Sequence, residues 1–310
     1  MTQTSAFNDP SSAAGRPTEP VPLAGPGGLP FLELSNGFGR ATVCLQGGQV
    51  VEWHPAGQAE PVLWVSDAAQ YGPGKRIRGG IPVCWPWFGA HATDPSGAAH
   101  GFARNRTWEA RALRRLPGGG TQLVIALPDD PSLRSLWPHA FGLELHVALG
   151  TTLEVVLQTR NPGPDPFTFS EALHTYFRVG DIEAATVTGL DGATYSDSAD
   201  GGQRKRQCGP VRFEGEVDRV FVDSEGDCAI VDPVLGRRIV IAKSGSRSTV
   251  VWNPWPAKAQ RLGDLGAGRA GRGGWREMVC VESGNALDNV VTLGPGEAHR
   301  LVARYAVEAL

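Results

Sequence analysis

The run Leu143-Glu144-Leu145-His146-Val147-Ala148-Leu149 is parted by Gly150 from a second run, Thr151-Thr152-Leu153-Glu154-Val155-Val156-Leu157-Gln158-Thr159. Leu143, Leu145, Val147 and Leu149 recur at every second position, as do Leu153, Val155 and Leu157. A period of two lines side chains up on one face of an extended strand, whereas a helix needs a period of about 3.6. Similar short runs fill the chain: Ala41–Gln46, Gln49–Trp53, Thr121–Leu127, Cys228–Val231, Ile239–Lys243, Met278–Glu282 and Leu301–Val307. Val, Ile, Thr and aromatic residues, which fit a pleated surface, dominate them, and Gly, Pro, Asn and Asp break them. Only Pro131–Trp137 and Ala257–Leu262 read as brief helical turns. Strand after strand with no helices between them specifies an all-β fold, a large antiparallel β-sandwich. No internal repeat is visible.

A chain of 310 residues can hold one large β domain or two average ones. Its 41% hydrophobic and 20% charged content describe a globule with ample core. The formal net charge of -3 argues against nucleic acid or an anionic membrane as partner, although Lys75, Arg76 and Arg78 make a local cationic patch. Residues 1–30 are rich in Pro, Gly, Ser, Ala and Thr and cannot offset the entropy of ordering. A disordered tail over 1–30 is therefore expected, ahead of one sandwich domain over 31–310. No Lys or Arg precedes Arg16 and no apolar h-region is present, so the tail does not read as a secretory signal. No stretch approaches a membrane-spanning run. The five cysteines, Cys44, Cys84, Cys208, Cys228 and Cys280, are odd in number and lack Cys-x-x-Cys spacing. That speaks against a disulfide framework and against zinc. The expectation is a cytoplasmic monomer with no cofactor and no metal.

Two loops carry the first functional signal. Arg78-Gly79-Gly80-Ile81-Pro82-Val83-Cys84-Trp85-Pro86-Trp87-Phe88-Gly89 packs three glycines, two prolines and three large aromatics behind one arginine. Neither a helix nor a central strand accommodates that density of Gly and Pro, so an ordered loop is predicted. Its glycines allow close backbone approach. Aromatic walls beside a fixed cation suit a negatively charged sugar, with Trp85, Trp87 and Phe88 as wall or as core. His100-Gly101-Phe102-Ala103-Arg104 repeats the theme with another ring and another cation. Either loop alone reads as structural; together they point to a binding site.

Within Phe167–Phe177, a period of two sets Phe167, Phe169, Glu171, Leu173, Thr175 and Phe177 on a core face. His174 and Tyr176 then fall on the opposite, polar face, where His174 is a ligand contact or a hydrogen-bonded structural residue. Glu282 ends the apolar run Met278-Val279-Cys280-Val281-Glu282, where an unpaired carboxylate costs several kcal/mol. It is either paired structurally, with Arg276 for example, or kept as a base. Asp218 lies in Glu214–Arg219, which by itself reads as a solvated turn. Gly266-Ala267-Gly268-Arg269-Ala270-Gly271 matches the dinucleotide fingerprint in letters but lacks the strand before it and the helix after it. Asn105-Arg106-Thr107 matches a glycosylation acceptor and carries no meaning in a cytoplasmic chain.

From about Phe31 to the C-terminus the chain resembles the hexose-6-phosphate mutarotases (glucose-6-phosphate 1-epimerases), a branch of the aldose 1-epimerase superfamily. The two loops carry the resemblance together with four ordered segments: Ser170-Glu171-Ala172-Leu173-His174-Thr175-Tyr176-Phe177, Glu216-Val217-Asp218-Arg219-Val220-Phe221, Val251-Trp252-Asn253-Pro254-Trp255 and Val279-Cys280-Val281-Glu282-Ser283-Gly284-Asn285. The resemblance implies a galactose-mutarotase-like supersandwich. It makes Glu282 the base and His174 the acid of sugar-ring opening, and promotes Asp218 and His100 to substrate contacts. Arg78 and Arg104 occupy the family's phosphate-binding motifs. The implied substrate is a hexose 6-phosphate, glucose 6-phosphate first. A free-sugar aldose 1-epimerase, which would not need both arginines, and a non-catalytic carbohydrate-binding sandwich are the rival readings. Ordinary pKa values would leave Glu282 ionised and His174 partly charged near neutrality, with Asp218 favouring the protonated imidazole.

Overall fold

Strands that are apolar on one face must bury that face against another layer. The structure, a computed structural model describing residues 19–91 and 98–310, meets this requirement with two eight-stranded sheets. One runs from edge to edge through Thr186–Thr188, Cys228–Asp232, Arg237–Ser244, Ala298–Ala309, Leu153–Arg160, Gly142–Leu149, Thr121–Leu127 and Glu109–Arg115. The other runs through Gln203–Arg206, Thr194–Asp197, Val217–Phe221, Ser248–Asn253, Met278–Asn285, Glu171–Leu173 and Val83–Cys84, with Tyr176–Arg178 also paired to Met278–Asn285. Pairing in both is antiparallel.

The opening stretch forms the centre of the first sheet. Leu145 lies opposite Leu157, Val147 opposite Val155 and Leu149 opposite Leu153, and all are buried. Across the interior they join Val251, Val281, Val279 and Phe177 of the second sheet in one core cluster. Thr175 and Tyr305 tie the sheets by a 2.7 Å hydroxyl–hydroxyl hydrogen bond. A four-stranded sheet of Leu23–Ala24, Pro30–Asn36, Gly39–Cys44 and Gln49–Pro55 adds Leu34, Ala41, Val43 and Trp53 to the same core. Both expected helical turns form: Pro131–Ser135 as a 3₁₀ turn, and Trp255–Leu262 as the single α-helix among the described residues.

Residues 1–18 of the expected tail lie outside the described residues. The rest of it departs from the expectation. Leu23–Ala24 pair with Pro30–Phe31, and Leu29 packs against Phe31, Cys44, Val51 and Ile77. The Pro26–Gly28 turn closes this short hairpin, so the residues that look disordering in composition are turn residues here. The stretch Gly266–Gly271 is a loop ending in a 3₁₀ turn, with neither flank of a nucleotide fingerprint.

Candidate active site

The site is built on strand register. Asp218 pairs with Trp252, Trp252 with Cys280, and Cys280 with Tyr176, in one row across four strands. One step along, Val220 pairs with Val250 and Val250 with Glu282. Directly opposed residues share a face, so Asp218, Val250, Trp252, Cys280, Glu282 and Tyr176 all point away from the core that holds Val217, Phe221, Val251, Val279, Val281 and Phe177. His174 keeps the parity of Tyr176, and their rings stack 4.9 Å apart at 8°. Over this face opens a cleft of about 620 Å³, and Arg78, His100, Arg104, His174, Asp218 and Glu282 all line it.

Glycines let the two loops pack backbone to backbone, the first on the Gln49–Pro55 strand and the second on Trp85 of the first. Gly80 has φ +62, and a Cβ there would sit 2.2 Å from the Val50 carbonyl oxygen. Gly101 has φ +73, and a Cβ would sit 1.9 Å from the carbonyl oxygen of Trp85. These are backbone-on-backbone contacts that no side chain can enter. Beside them Arg78 donates from Nε and Nη2 to Asp264 Oδ2 at 3.0 and 2.8 Å, and from Nη1 to the Tyr176 hydroxyl at 2.9 Å. Arg104 donates from Nη2 to the Ala99 carbonyl at 2.6 Å, and its buried Nε has no hydrogen-bond partner among the described residues. Lys75 and Arg76 stand exposed at the rim.

At the base of the cleft His174 Nδ1 lies 3.4 Å from Glu282 Oε1. Both residues are buried, and Nδ1 and the second carboxylate oxygen have no hydrogen-bond partner among the described residues. Burial pushes the Glu282 carboxyl well above its usual range, and the Asp218 charge adds to this while Arg104 opposes it. Burial likewise pushes His174 well below its usual value, helped by His100, Arg104 and Arg78. Burial in the cleft thus favours the uncharged pair, the reverse of the ionised pair that ordinary values imply. Asp218 acts on Glu282 rather than on His174, and its carboxylate accepts from Lys258 at 2.9 Å. Arg276 is no partner of Glu282, since it pairs with Asp181 and Glu183 at 3.3 and 2.9 Å.

The expected aromatic wall is corrected in part. Trp85 is fully buried in the core, against Phe102, Trp137 and Phe141. Trp87 packs on Phe102 and donates to the Ala98 carbonyl. Phe88 does reach the cleft, joined by Tyr176 and Trp252. Sequence reasoning assigned no part to Trp252, Lys258, Asp264 or Cys280. Trp252 and Cys280 were accessible through parity, since Cys280 is two residues from Glu282 on one strand. Lys258 rides the α-helix, whose first turn is anchored where Asn253 Oδ1 accepts from the Trp255 backbone N–H at 2.9 Å.

His100 offers a measurable consequence. Burial lowers its pKa to about 3, aided by Arg104, Arg76 and Arg78. A histidine depressed in the folded state adds stability above its unfolded value of about 6.5 and loses it as pH falls toward the folded value. The backbone at His100 is left-handed, with φ +62, which asparagine tolerates. His100→Asn should therefore fold and should flatten the acid-side loss of stability by up to about 1.4 kcal/mol per pH unit. Urea unfolding midpoints at pH 7, 6, 5 and 4 measure this; parallel curves for both proteins would refute the assignment.

The chain is an isomerase of the aldose 1-epimerase family. That family's sequence profile matches residues 30–306, and the chain belongs to it. A relative from Cenchrus ciliaris, provisionally named a glucose-6-phosphate 1-epimerase, is 37% identical over 280 residues, 87% of this chain and 81% of its own. An Escherichia coli K12 relative with the same provisional name is 34% identical over 84% of each chain. A crystal structure from Salmonella typhimurium, provisionally described as a mutarotase, matches with a TM-score of 0.83 at 31% identity over 91% of each chain. No helix among the described residues is long and apolar enough to cross a membrane.

Proposed function

We propose that the protein interconverts the α and β anomers of a hexose 6-phosphate, glucose 6-phosphate being the favoured substrate. The observation that carries this reading is the contact of Glu282 with His174 at 3.4 Å in the same cleft as Arg78 and Arg104. In a cyclic sugar the anomeric hydroxyl oxygen and the ring oxygen are bonded to one carbon, so a base and an acid serving both must stand side by side. The pair's one proton first passes from Glu282 to His174 across their 3.4 Å contact; Glu282 then takes the proton of the anomeric hydroxyl, the bond from C1 to the ring oxygen breaks, and His174 protonates that oxygen. The free aldehyde turns about C1–C2. Closure on the other face returns the ring-hydroxyl proton to His174 and the Glu282 proton to the new anomeric oxygen.

The phosphate goes to the arginines. The cleft lining brings Lys75, Arg76, Arg78, Arg104 and Lys258 together with three acids, Asp218, Asp264 and Glu282. That surplus of positive charge calls for an anion, and a guanidinium fork matches phosphate oxygens. Neutralising Arg78 and Arg104 removes two of the charges that hold His174 low and, at Arg104, one that holds Glu282 down, so bound phosphate raises the proton affinity of the pair while burial stays the first cause at both. Phe88 and Trp252 wall the sugar, while Asp218 and His100 contact it. A phosphorylated sugar does not cross membranes unaided, which goes with a cytoplasmic enzyme. Saturation-transfer NMR of α–β exchange is the test. Exchange in glucose 6-phosphate should rise far above the uncatalysed rate with enzyme, and free glucose or galactose should respond much less. Equal acceleration of free sugars would replace this reading with a free-sugar epimerase, and none at all with a binding protein.

A further inference from the structure

Cys280 has no part in that chemistry, yet it lies against both reacting groups. We propose that His174, Cys280 and Glu282 form a latent site for a thiophilic divalent cation of the Zn2+ type, and that occupation switches the enzyme off. Only the inhibitory consequence rests on the functional reading above; the binding does not.

One ligand atom from each residue lies within 4.8 Å of the others. Bonds of about 2.0–2.3 Å in a tetrahedral zinc site place donors roughly 3.3–3.8 Å apart, so the three need to close by no more than about 1.5 Å. The strand supplies Cys280 and Glu282 two residues apart on one face, and His174 comes from the neighbouring segment. Nδ1 of His174 and one Glu282 oxygen are buried without hydrogen-bond partners among the described residues, which leaves lone pairs already desolvated. A set of one nitrogen, one sulfur and one oxygen suits a thiophilic divalent cation, and two of its three members, His174 and Glu282, line the cleft.

The charge balance also closes. An incoming Zn2+ displaces the thiol proton and the one proton of the histidine–glutamate pair. Thiolate, carboxylate and neutral imidazole then cancel the metal's two charges, so the buried site stays neutral. Arg78 and Arg104 oppose the cation's approach and Asp218 favours it, so the affinity is set below that of a structural zinc centre. Once the metal holds the imidazole and carboxylate lone pairs, neither group can move a proton.

The test uses the purified full chain with ZnCl2 or CoCl2. Calorimetry should show one Zn2+ site, and Co2+ should produce a thiolate-to-cobalt charge-transfer band. Cys280→Ala should abolish that band and weaken Zn2+ binding at least tenfold. Exchange of glucose 6-phosphate should fall with Zn2+ occupancy in the natural protein, recover with a chelator, and resist the same Zn2+ in Cys280→Ala. A missing cobalt band, or Zn2+ binding unchanged in Cys280→Ala, overturns the proposal. The band and the calorimetry need no activity, so failure of the epimerase reading would show separately, as absent exchange in metal-free enzyme.

Discussion

Glu282→Gln lowers the enzymatic part of the α–β exchange rate a hundredfold or more, and His174→Ala does the same. General acid–base groups typically contribute about 10²–10⁴ each. Glutamine keeps the size of the side chain and removes only its ability to take a proton. It also removes a buried carboxyl whose ionisation is opposed by burial and by Asp218, so the thermal midpoint of Glu282→Gln should hold or rise. Loss of rate without loss of stability is the signature of chemistry rather than of folding. The double variant should be scarcely slower than either single one, because the two groups act as a unit on one proton relay. Rates are read above the spontaneous exchange in water. A Glu282→Gln protein with near-natural exchange would remove the base from the mechanism.

Arg104→Ala should cut catalytic efficiency on glucose 6-phosphate tenfold or more while changing any residual activity on free glucose far less. A charge-assisted hydrogen bond lost from the phosphate costs about 1.5–3 kcal/mol, and that end of the sugar does not react. Arg78→Ala should lose at least as much but is the less clean experiment. Its guanidinium also holds Asp264 and the Tyr176 hydroxyl, and Tyr176 stacks on His174. Some loss on free glucose is therefore expected for Arg78→Ala alone. Added salt should mimic part of both effects. If Arg104→Ala loses both substrates alike, the arginine is structural and the phosphate lies elsewhere.

Much of this geometry is written in local alternation. A period of two is enough to separate His174 and Tyr176 from Phe177, and the structure keeps that separation. Glu171 shows where local reasoning stops. It falls on the core face, and the fold pairs one of its oxygens with His299 at 3.0 Å and with Asn285, partners far away in sequence. Trp85 and Phe88 look alike in one loop, but only the loop's path decides that one fills the core and the other the cleft. Lys258 and Asp264 reach the site through the turn of a helix that carries no signal of its own for binding. Parity is a property of neighbours, and proximity is a property of the fold. The inversion of the expected charges on His174 and Glu282 belongs to the second kind, since desolvation depends on everything packed around the pair.

The row Asp218, Trp252, Cys280, Tyr176 has a kinetic side as well. Its members come from four separate strands spread over more than a hundred residues, joined only by cross-strand pairing. No hairpin or fragment of the chain contains a working part of it. Pairings between distant segments close late and slowly, because the loop entropy must be spent before the contacts reward it. A nascent or partly unfolded chain therefore has no half-built cleft with weak activity. The recovery of sugar-anomer exchange during refolding reports completion of the whole sheet.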